Sequence, residues 1–530
     1  MKRAAARTVP TRVVDYMNQQ FSGAAAIRAA AMIMGSTYVT YAVGLLVSIV
    51  IARHLGPEDF GRYSYVIWMA GILIALGNNG LTTTVIRFVS ESLGRRSVES
   101  ARRVHGWLLR RQLVCFVLVS VVFVLASRHL APDGWQGSLA SFVVIALVAG
   151  VSKALYLFDA SVAKGYGRFD VEARSTVTLS LVNVAAVLVL VYFDAPLMGY
   201  LVAFTLISVG YGAMSRWMLR RGDMVSSTQP LDADMQLRVR RHLLWTVILI
   251  LAYTFSNKSI ETYLLNAMVG PAEVGFFTIA AALSRGGVDL LSSGLMTVMM
   301  PIMAHAFGEG GLDRVNSIMA NSLRYCFFLG LLLIGVGLLL SRPGVSLMYG
   351  EKYADVVFPL RVMILVGGLT LGEAALNALL STTDNQRLRV IFSCLSLGVA
   401  ATFAFVLVPR YGLAGAVMSY ACSRLLMFVV LAVGITRLMR FRVPVRELVR
   451  LFGCALLAGT ISAGMVLLVP GIWSELVAGI AFALLFVAGT IAFNAWRSSD
   501  VGHFLEFLER YPFFHGRMSG FLERWALRLR

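Results

Sequence analysis

Charge is scarce in this sequence. Asp, Glu, Lys and Arg make up 14% of its 530 residues, against about 25% in soluble domains. A water-soluble surface for a chain of this length is therefore excluded. Acids are the scarcer sign, 28 against 47 bases. Cysteine is rare too. Cys115, Cys326, Cys394, Cys422 and Cys454 stand singly, which excludes a disulfide scaffold and gives no metal-ligand spacing. No Gly-x-x-x-x-Gly-Lys-Ser/Thr occurs, and no segment outside the apolar runs is long enough for a nucleotide-binding domain, so the chain does not hydrolyse ATP itself. None of the seven histidines forms His-Glu-x-x-His.

What is present is hydrophobic, 58% of the residues. Residues 29–52, 63–86, 451–474 and 476–496 carry no Asp, Glu, Lys or Arg. About 20 apolar residues in a helix cross the roughly 30 Å hydrocarbon core. Fourteen spans are read, near 29–52, 63–85, 108–127, 139–161, 175–193, 196–216, 243–266, 274–302, 324–341, 358–381, 389–408, 413–436, 451–469 and 474–496. Their apolar character runs round every face without strict alternation, which predicts helices and not barrel strands. The fold class is an all-α polytopic membrane protein. The first span is too long for the apolar core of a cleavable signal.

The net charge of +19 invites a nucleic-acid reading, but the positions of the cations oppose it. Of the 47 Lys and Arg, 36 fall in even-numbered connections and the two ends, and seven in odd-numbered ones. That is the positive-inside bias, with both termini cytoplasmic. No nucleic-acid partner is expected, and attraction to acidic membrane lipids is a secondary role.

The chain contains itself twice. Gly56-Pro57-Glu58-Asp59-Phe60-Gly61-Arg62-Tyr63-Ser64 follows the first span, and Gly270-Pro271-Ala272-Glu273-Val274-Gly275-Phe276-Phe277-Thr278 follows the seventh. Leu179-Ser180-Leu181 pairs with Leu395-Ser396-Leu397, and Leu197-Met198-Gly199 with Leu413-Ala414-Gly415, at nearly the same offset. Spans 1–6 and 7–12 are thus parallel six-helix repeats, a transporter pattern, followed by two C-terminal helices. The expected divisions are an N-terminal lobe over 1–218, a cytoplasmic linker over 219–241, a C-terminal lobe over 242–440, spans 13 and 14 within 441–497, and a cytoplasmic amphipathic helix over 498–530. Residues 12–21 suggest a shorter such helix. The repeated turn reads as fold-forming, because Pro stops one helix and Gly permits the reversal.

Residues 51–64, Gly77-Asn78-Asn79-Gly80-Leu81, Arg87-Phe88 and Pro409-Arg410-Tyr411-Gly412-Leu413-Ala414-Gly415-Ala416 resemble Wzx-type oligosaccharide flippases. These belong to the multidrug/oligosaccharidyl-lipid/polysaccharide exporter superfamily, with the lipid II flippase a relative. The resemblance implies movement of an undecaprenyl-pyrophosphate-linked sugar from the cytoplasmic to the periplasmic leaflet of a bacterial inner membrane, by alternating access. It also implies a cationic cavity for the headgroup and a groove at spans 13 and 14 for the tail.

Ionisable residues at membrane depth are functional hypotheses, since each costs about 2.5–3.5 kcal/mol on insertion scales. Lys153 and Asp159 interrupt span 4, Lys258 and Glu261 span 7, Arg285 and Asp289 span 8, Glu373 span 10 and Arg424 span 12. Arg28, Arg53 and Arg87 sit at span edges. The seven cations among these are the headgroup candidates. Asp159, Glu261, Asp289 and Glu373 are the candidates for carrying H⁺ or Na⁺, with Glu373 first because it lacks a helical partner. Lys258–Glu261 and Arg285–Asp289 have the spacing of internal ion pairs. Asp232-Ala233-Asp234 fits a metal-binding Asp-x-Asp but lies in a linker with no domain around it, and reads as solvated. No metal, other cofactor or enzymatic step is expected. Partners are a lipid-linked sugar, membrane lipids and other polysaccharide-assembly proteins. The alternatives are a small-molecule cation antiporter of the same superfamily, which usually stops at twelve spans, and a membrane-embedded glycan polymerase, which generally needs a large outward loop.

Overall fold

The computed structural model describes residues 23–496, apart from 136, 258, 383–385, 439–442 and 494. The amphipathic helices expected at 12–21 and 498–530 lie outside the described residues. All the regular elements described are helical. In chain order they are α1 (Gly23–Asn78), α2 (Leu81–Gly94), α3 (Val98–Leu130), α4 (Leu139–Gly165), α5 (Asp170–Tyr192), α6 (Leu197–Arg221), α7 (Ala233–Ser256), α8 (Ser259–Met268) and α9 (Pro271–Ser284). A π-helical turn (Arg285–Asp289) leads into α10 (Leu290–Tyr349). A 3₁₀ segment (Glu351–Val356) precedes α11 (Val357–Leu369), α12 (Glu373–Thr382), α13 (Gln386–Leu438), α14 (Val445–Leu468) and α15 (Ile472–Ala492).

Among the described residues ten helices are long and apolar enough to cross a membrane, or twelve if each of two bent pairs is one span. The fourteen expected from sequence is reached only by also dividing α1 and α13 at their breaks. Those breaks have local causes. Gly56 (φ 76°, ψ 175°) and Gly412 (φ 56°, ψ −129°) leave the helical region, in conformations that carry little penalty without a Cβ. Pro57 then opens the second arm of α1, where its missing N–H costs no hydrogen bond. Glu58 and Asp59 occupy the first turn of that arm, favourable against the helix dipole. Arg62 holds both, at 3.4 and 2.7 Å.

The outer faces are those of a membrane protein. On α3, Val114, Val117, Leu118, Val121, Val122 and Leu125 are all exposed and recur at three- and four-residue steps. In water such a stripe would be a large unpaired apolar patch; in a bilayer it is solvated.

Among the described residues two compact units form, one running to Ile279 and taking in Arg389–Tyr420, the other made of Ala280–Leu388 and the residues from Ala421 on. In the first, Val85, Phe88, Val89, Val104, Leu108, Phe158 and Val162 make a core that also takes in Met224, Leu231, Met235 and Val239. The segment read as a linker is therefore packed against α2 and α3 rather than free. Ser227 N–H donates to the Arg102 carbonyl at 2.9 Å, and Asp223 pairs with Arg102 at 2.8 Å. Asp232 and Asp234 remain exposed. In the second unit, α14 and α15 dock on α10 through Leu331, Ile334, Leu451, Cys454, Phe482 and Phe486, with Phe328 and Phe482 each stacked on Phe486.

Candidate functional site

The two copies of the repeated turn meet each other within the first unit. A Cβ on Gly61 would stand 1.7 Å from the Pro271 carbonyl oxygen, and one on Gly275 would stand 3.1 Å from the Pro57 carbonyl oxygen. Gly61 corresponds to Gly275 and Pro57 to Pro271, so each contact is the image of the other. Reciprocity of this kind is what a two-fold relation produces. The motif read as merely fold-forming is thus also an interlock between the repeats. Asn266 strengthens the same end. Its Oδ1 accepts from the Asp133 N–H at 3.2 Å and its Nδ2 donates to the Ala131 carbonyl at 3.3 Å. Arg62 Nε donates to the Asp133 carbonyl at 3.2 Å. Asn266 carries no charge and so escaped a search for ionisable residues; its offset of four before the second Gly-Pro was the available signal.

At the opposite ends of these helices α2 lies on α7. A Cβ on Gly80 would stand 2.9 Å from the Thr246 methyl. Arg87 Nη1 lies 3.1 Å from His242 Nδ1, and both groups pack on the Phe88 ring. Glu91 joins the helices by accepting from Arg238 at 2.7 Å and from Arg95 at 2.7 Å. The Arg238 hydrogen bond holds the Glu91 carboxyl below the usual carboxylate range, outweighing its desolvation.

The candidates predicted from sequence fall into separate places. Asp159 is fully buried and pairs with Arg216 Nε at 3.1 Å; Ser215 Oγ donates to the same carboxylate at 3.3 Å. In the sequence Arg216 counts only among the 36 cations of the even-numbered connections and ends. Lys153 makes no ion pair with Asp159. Its ammonium lies 2.9 Å from the Tyr211 ring centroid and 4.8 Å from that of Tyr156, a cation–π cradle. Glu261 is 1% exposed and accepts from Ser419 Oγ at 3.0 Å, while Lys258 lies outside the described residues. Arg53 is exposed at the end of the first arm of α1. Arg28 lies on that arm where only the backbone is described.

In the second unit Glu373 does have a partner. Arg424 Nη2 stands 3.7 Å from its Oε2, Arg424 Nε donates to Thr370 Oγ1 at 3.1 Å, and Asn377 donates to Glu373 Oε1 at 3.4 Å. Helical spacing could not reveal this, because Arg424 comes from α13. Arg285 and Asp289 form no ion pair. They bound the π-helical turn, whose register differs from the α-helix assumed for their spacing, and Arg285 is exposed. π turns recur at functional sites. Two further charges were missed. Arg324 is 1% exposed, and Glu475 at the start of α15 lies 3.6 Å from Arg342. Among the described residues no group of His, Cys, Asp or Glu could hold a metal ion.

Known proteins share this architecture. The structure matches the lipid II flippase MurJ in its inward closed conformation with TM-score 0.69, at 11% identity, over 86% of this chain and 97% of that one. An inward-facing multidrug resistance MATE transporter of the MOP superfamily matches with TM-score 0.60, at 17% identity, over 76% and 96%. The capsular polysaccharide biosynthesis protein CapF of Staphylococcus aureus is 20% identical over 405 residues, 72% of this chain and 91% of that protein. Residues 26–307 match the model of the polysaccharide biosynthesis protein family, and with more than half of its length inside that match, this membrane-spanning chain belongs to that family.

Proposed function

We propose that this protein carries a polyprenyl-pyrophosphate-linked oligosaccharide from the cytoplasmic to the periplasmic leaflet of a bacterial inner membrane, for surface polysaccharide assembly, by ion-coupled alternating access. The observation that carries the reading is the interlock of Gly61 on Pro271 and of Gly275 on Pro57. It joins the repeats at one end through contacts with no covalent tie, which is what a closure that must open requires. MATE relatives are known both inward-facing and outward-facing. In this proposal the polyprenyl tail lies in the bilayer beside α14 and α15, whose outer faces, like that of α3, are apolar, with Leu456, Leu457, Ile461, Val477, Ile480 and Leu484 exposed.

The test is reconstitution in liposomes with a fluorescent polyprenyl-pyrophosphate saccharide and an impermeant quencher. Protein-dependent exposure of the dye to the far side is expected, and exchange equal to that of empty liposomes sinks the reading. Arg285 is exposed on a π turn and is a headgroup contact in this proposal. Arg285→Ala removes one charge-assisted hydrogen bond, about 1.5–3 kcal/mol, so transport falls roughly tenfold or more with an unchanged melting temperature.

Ion coupling falls to the acids. The Glu373–Arg424 contact is long, at 3.7 Å, Arg424 keeps its hydrogen bond to Thr370 when Glu373 is changed, and the amide of Gln keeps the shape of Glu. Glu373→Gln is expected to melt close to the parent protein and to transport at a rate that no longer responds to an imposed H⁺ or Na⁺ gradient. A retained response retires Glu373 from the role.

A further inference from the structure

The first unit contains a cavity of about 270 Å³ where α1 ends and α2 begins, walled by Asn78, Asn79, Thr82, Ser161, Lys164 and Glu172 with apolar residues from α4 and α7. We infer that this cavity is a subsite for a neutral sugar ring of the transported lipid, a claim that rests on the flippase reading and extends it. The hydrogen-bonding inventory carries the inference. Gln112 is fully buried, and its Nε2 donates to the Ala154 carbonyl at 3.3 Å and to Asn78 at 2.7 Å. A backbone carbonyl only accepts, so the orientation of the Gln112 amide is fixed. Asn78 must then present its oxygen to Gln112. Its own NH₂ is left without a protein partner on a residue that is 6% exposed and lines the cavity.

Next to it, Asn79 Oδ1 is buried and accepts no hydrogen bond. The backbone holds it there: Asn79 and Gly80 both have left-handed φ, 34° and 79°, and Thr83 and Thr84 hydroxyls donate to the Gly80 carbonyl at 3.1 and 2.8 Å. Asn79 Oδ1 is closed off from the cavity, so the open group on this stretch of the wall is the Asn78 NH₂. Ser161 adds an acceptor, because its proton is committed to the Leu157 carbonyl at 2.7 Å.

A diphosphate does not fit this inventory. It brings acceptors only, so its oxygens would face the Ser161 lone pairs with no proton between them. The lining cation, Lys164, is already neutralised by Glu172 at 2.5 Å. Sugar hydroxyls donate and accept at once, so one ring can serve the Asn78 NH₂ and the Ser161 oxygen together. The volume lies below the roughly 300–1,000 Å³ of drug-sized sites, which suits a single ring and not a whole repeat unit.

The experiment uses the full chain in nanodiscs and two probes, undecaprenyl pyrophosphate alone and the same lipid bearing one neutral hexose, with binding read by native mass spectrometry. The parent protein is expected to bind the hexose-bearing lipid about tenfold more tightly. Thr82→Val, which keeps the side chain's shape, and Asn78→Leu are expected to bring that ratio toward one while affinity for the bare lipid is unchanged. Thr82→Val stands as the reporter if Asn78→Leu disturbs Gln112 and folding. A ratio of one in the parent protein, or a ratio unmoved by Thr82→Val, overturns the subsite and leaves the flippase reading standing; in that case the cavity holds water. Failure of the parent protein to bind either lipid overturns both.

Discussion

Gly61→Ala is expected to reduce transport by about two orders of magnitude while the protein still inserts and extracts as a folded chain. The methyl would stand 1.7 Å from the Pro271 carbonyl oxygen and 2.5 Å from its carbon. Both are backbone atoms, and Pro271 opens α9, so no rotamer change relieves the clash. The two arms must separate. Overpacking at a close contact costs about 1–3 kcal/mol, and 1.4 kcal/mol is a factor of ten in an equilibrium. At the upper end of that range the closed arrangement falls to about a hundredth of its former weight. A carrier that cannot close one side leaks or stalls, because each turnover needs both arrangements. Gly275→Ala tests the same idea at lower dose. Its Cβ would meet Pro57 at 3.1 Å and Gly61 at 3.3 Å, which a shift of a few tenths of an ångström relieves, and about a tenfold loss is expected. The measurements are leaflet exchange and thiol labelling of a cysteine placed beside Asn266, which should gain access in Gly61→Ala. Parent-like exchange and labelling in Gly61→Ala would show that the interlock is not a gate.

The sequence made the helices legible because the bilayer constrains them so heavily. Runs such as 451–474 admit one reading, and Gly56-Pro57 announced a break that the backbone shows at φ 76°. Duplication was legible from the same motif, but its consequence was not. Nothing in Gly-Pro-x-acid-x-Gly says that the two copies touch, since contact between them is a tertiary fact. Charges failed in a patterned way. Helical spacing proposed Arg285 with Asp289, which do not pair. The partners of Asp159 and Glu373 come from other helices, 57 and 51 residues away in sequence. Arg216 and Arg324 were absorbed by the positive-inside count, which treats every flanking cation as a topological vote. A cation counted in that way can still have a structural partner or be buried: Arg216, a third exposed, reaches across to the buried Asp159, and Arg324 is 1% exposed inside α10. The neutral cavity at Asn78 escaped for the opposite reason, because amides and hydroxyls in an apolar run raise no alarm in a search for charge.

The Asp159–Arg216 pair supplies the largest expected effect on stability, and one variant set separates structure from coupling. Asp159 has no exposed surface. Arg216 Nε at 3.1 Å and Ser215 Oγ at 3.3 Å both serve its Oδ2, while Oδ1 is buried without a hydrogen bond. Arg216→Ala therefore leaves a buried carboxylate with one hydroxyl for company. Breaking a buried pair by removing one partner costs about 3–5 kcal/mol, and a large fall in melting temperature is expected. Asp159→Asn keeps the shape and removes the charge, and should cost less, about 1–3 kcal/mol for the altered hydrogen bonding. The double variant Asp159→Leu with Arg216→Met replaces the pair by apolar groups of similar volume. Exchanges of that type are often neutral or stabilising, so its melting temperature should return close to the parent value. Transport then decides the role. If the pair only holds α4 against α6, the double variant transports at the parent rate. If Asp159 carries the coupling ion, the double variant is stable and its transport no longer responds to an ion gradient. A parent-like melting temperature for Arg216→Ala would mean that Asp159 meets water or another cation in the membrane, and would remove the pair from both roles.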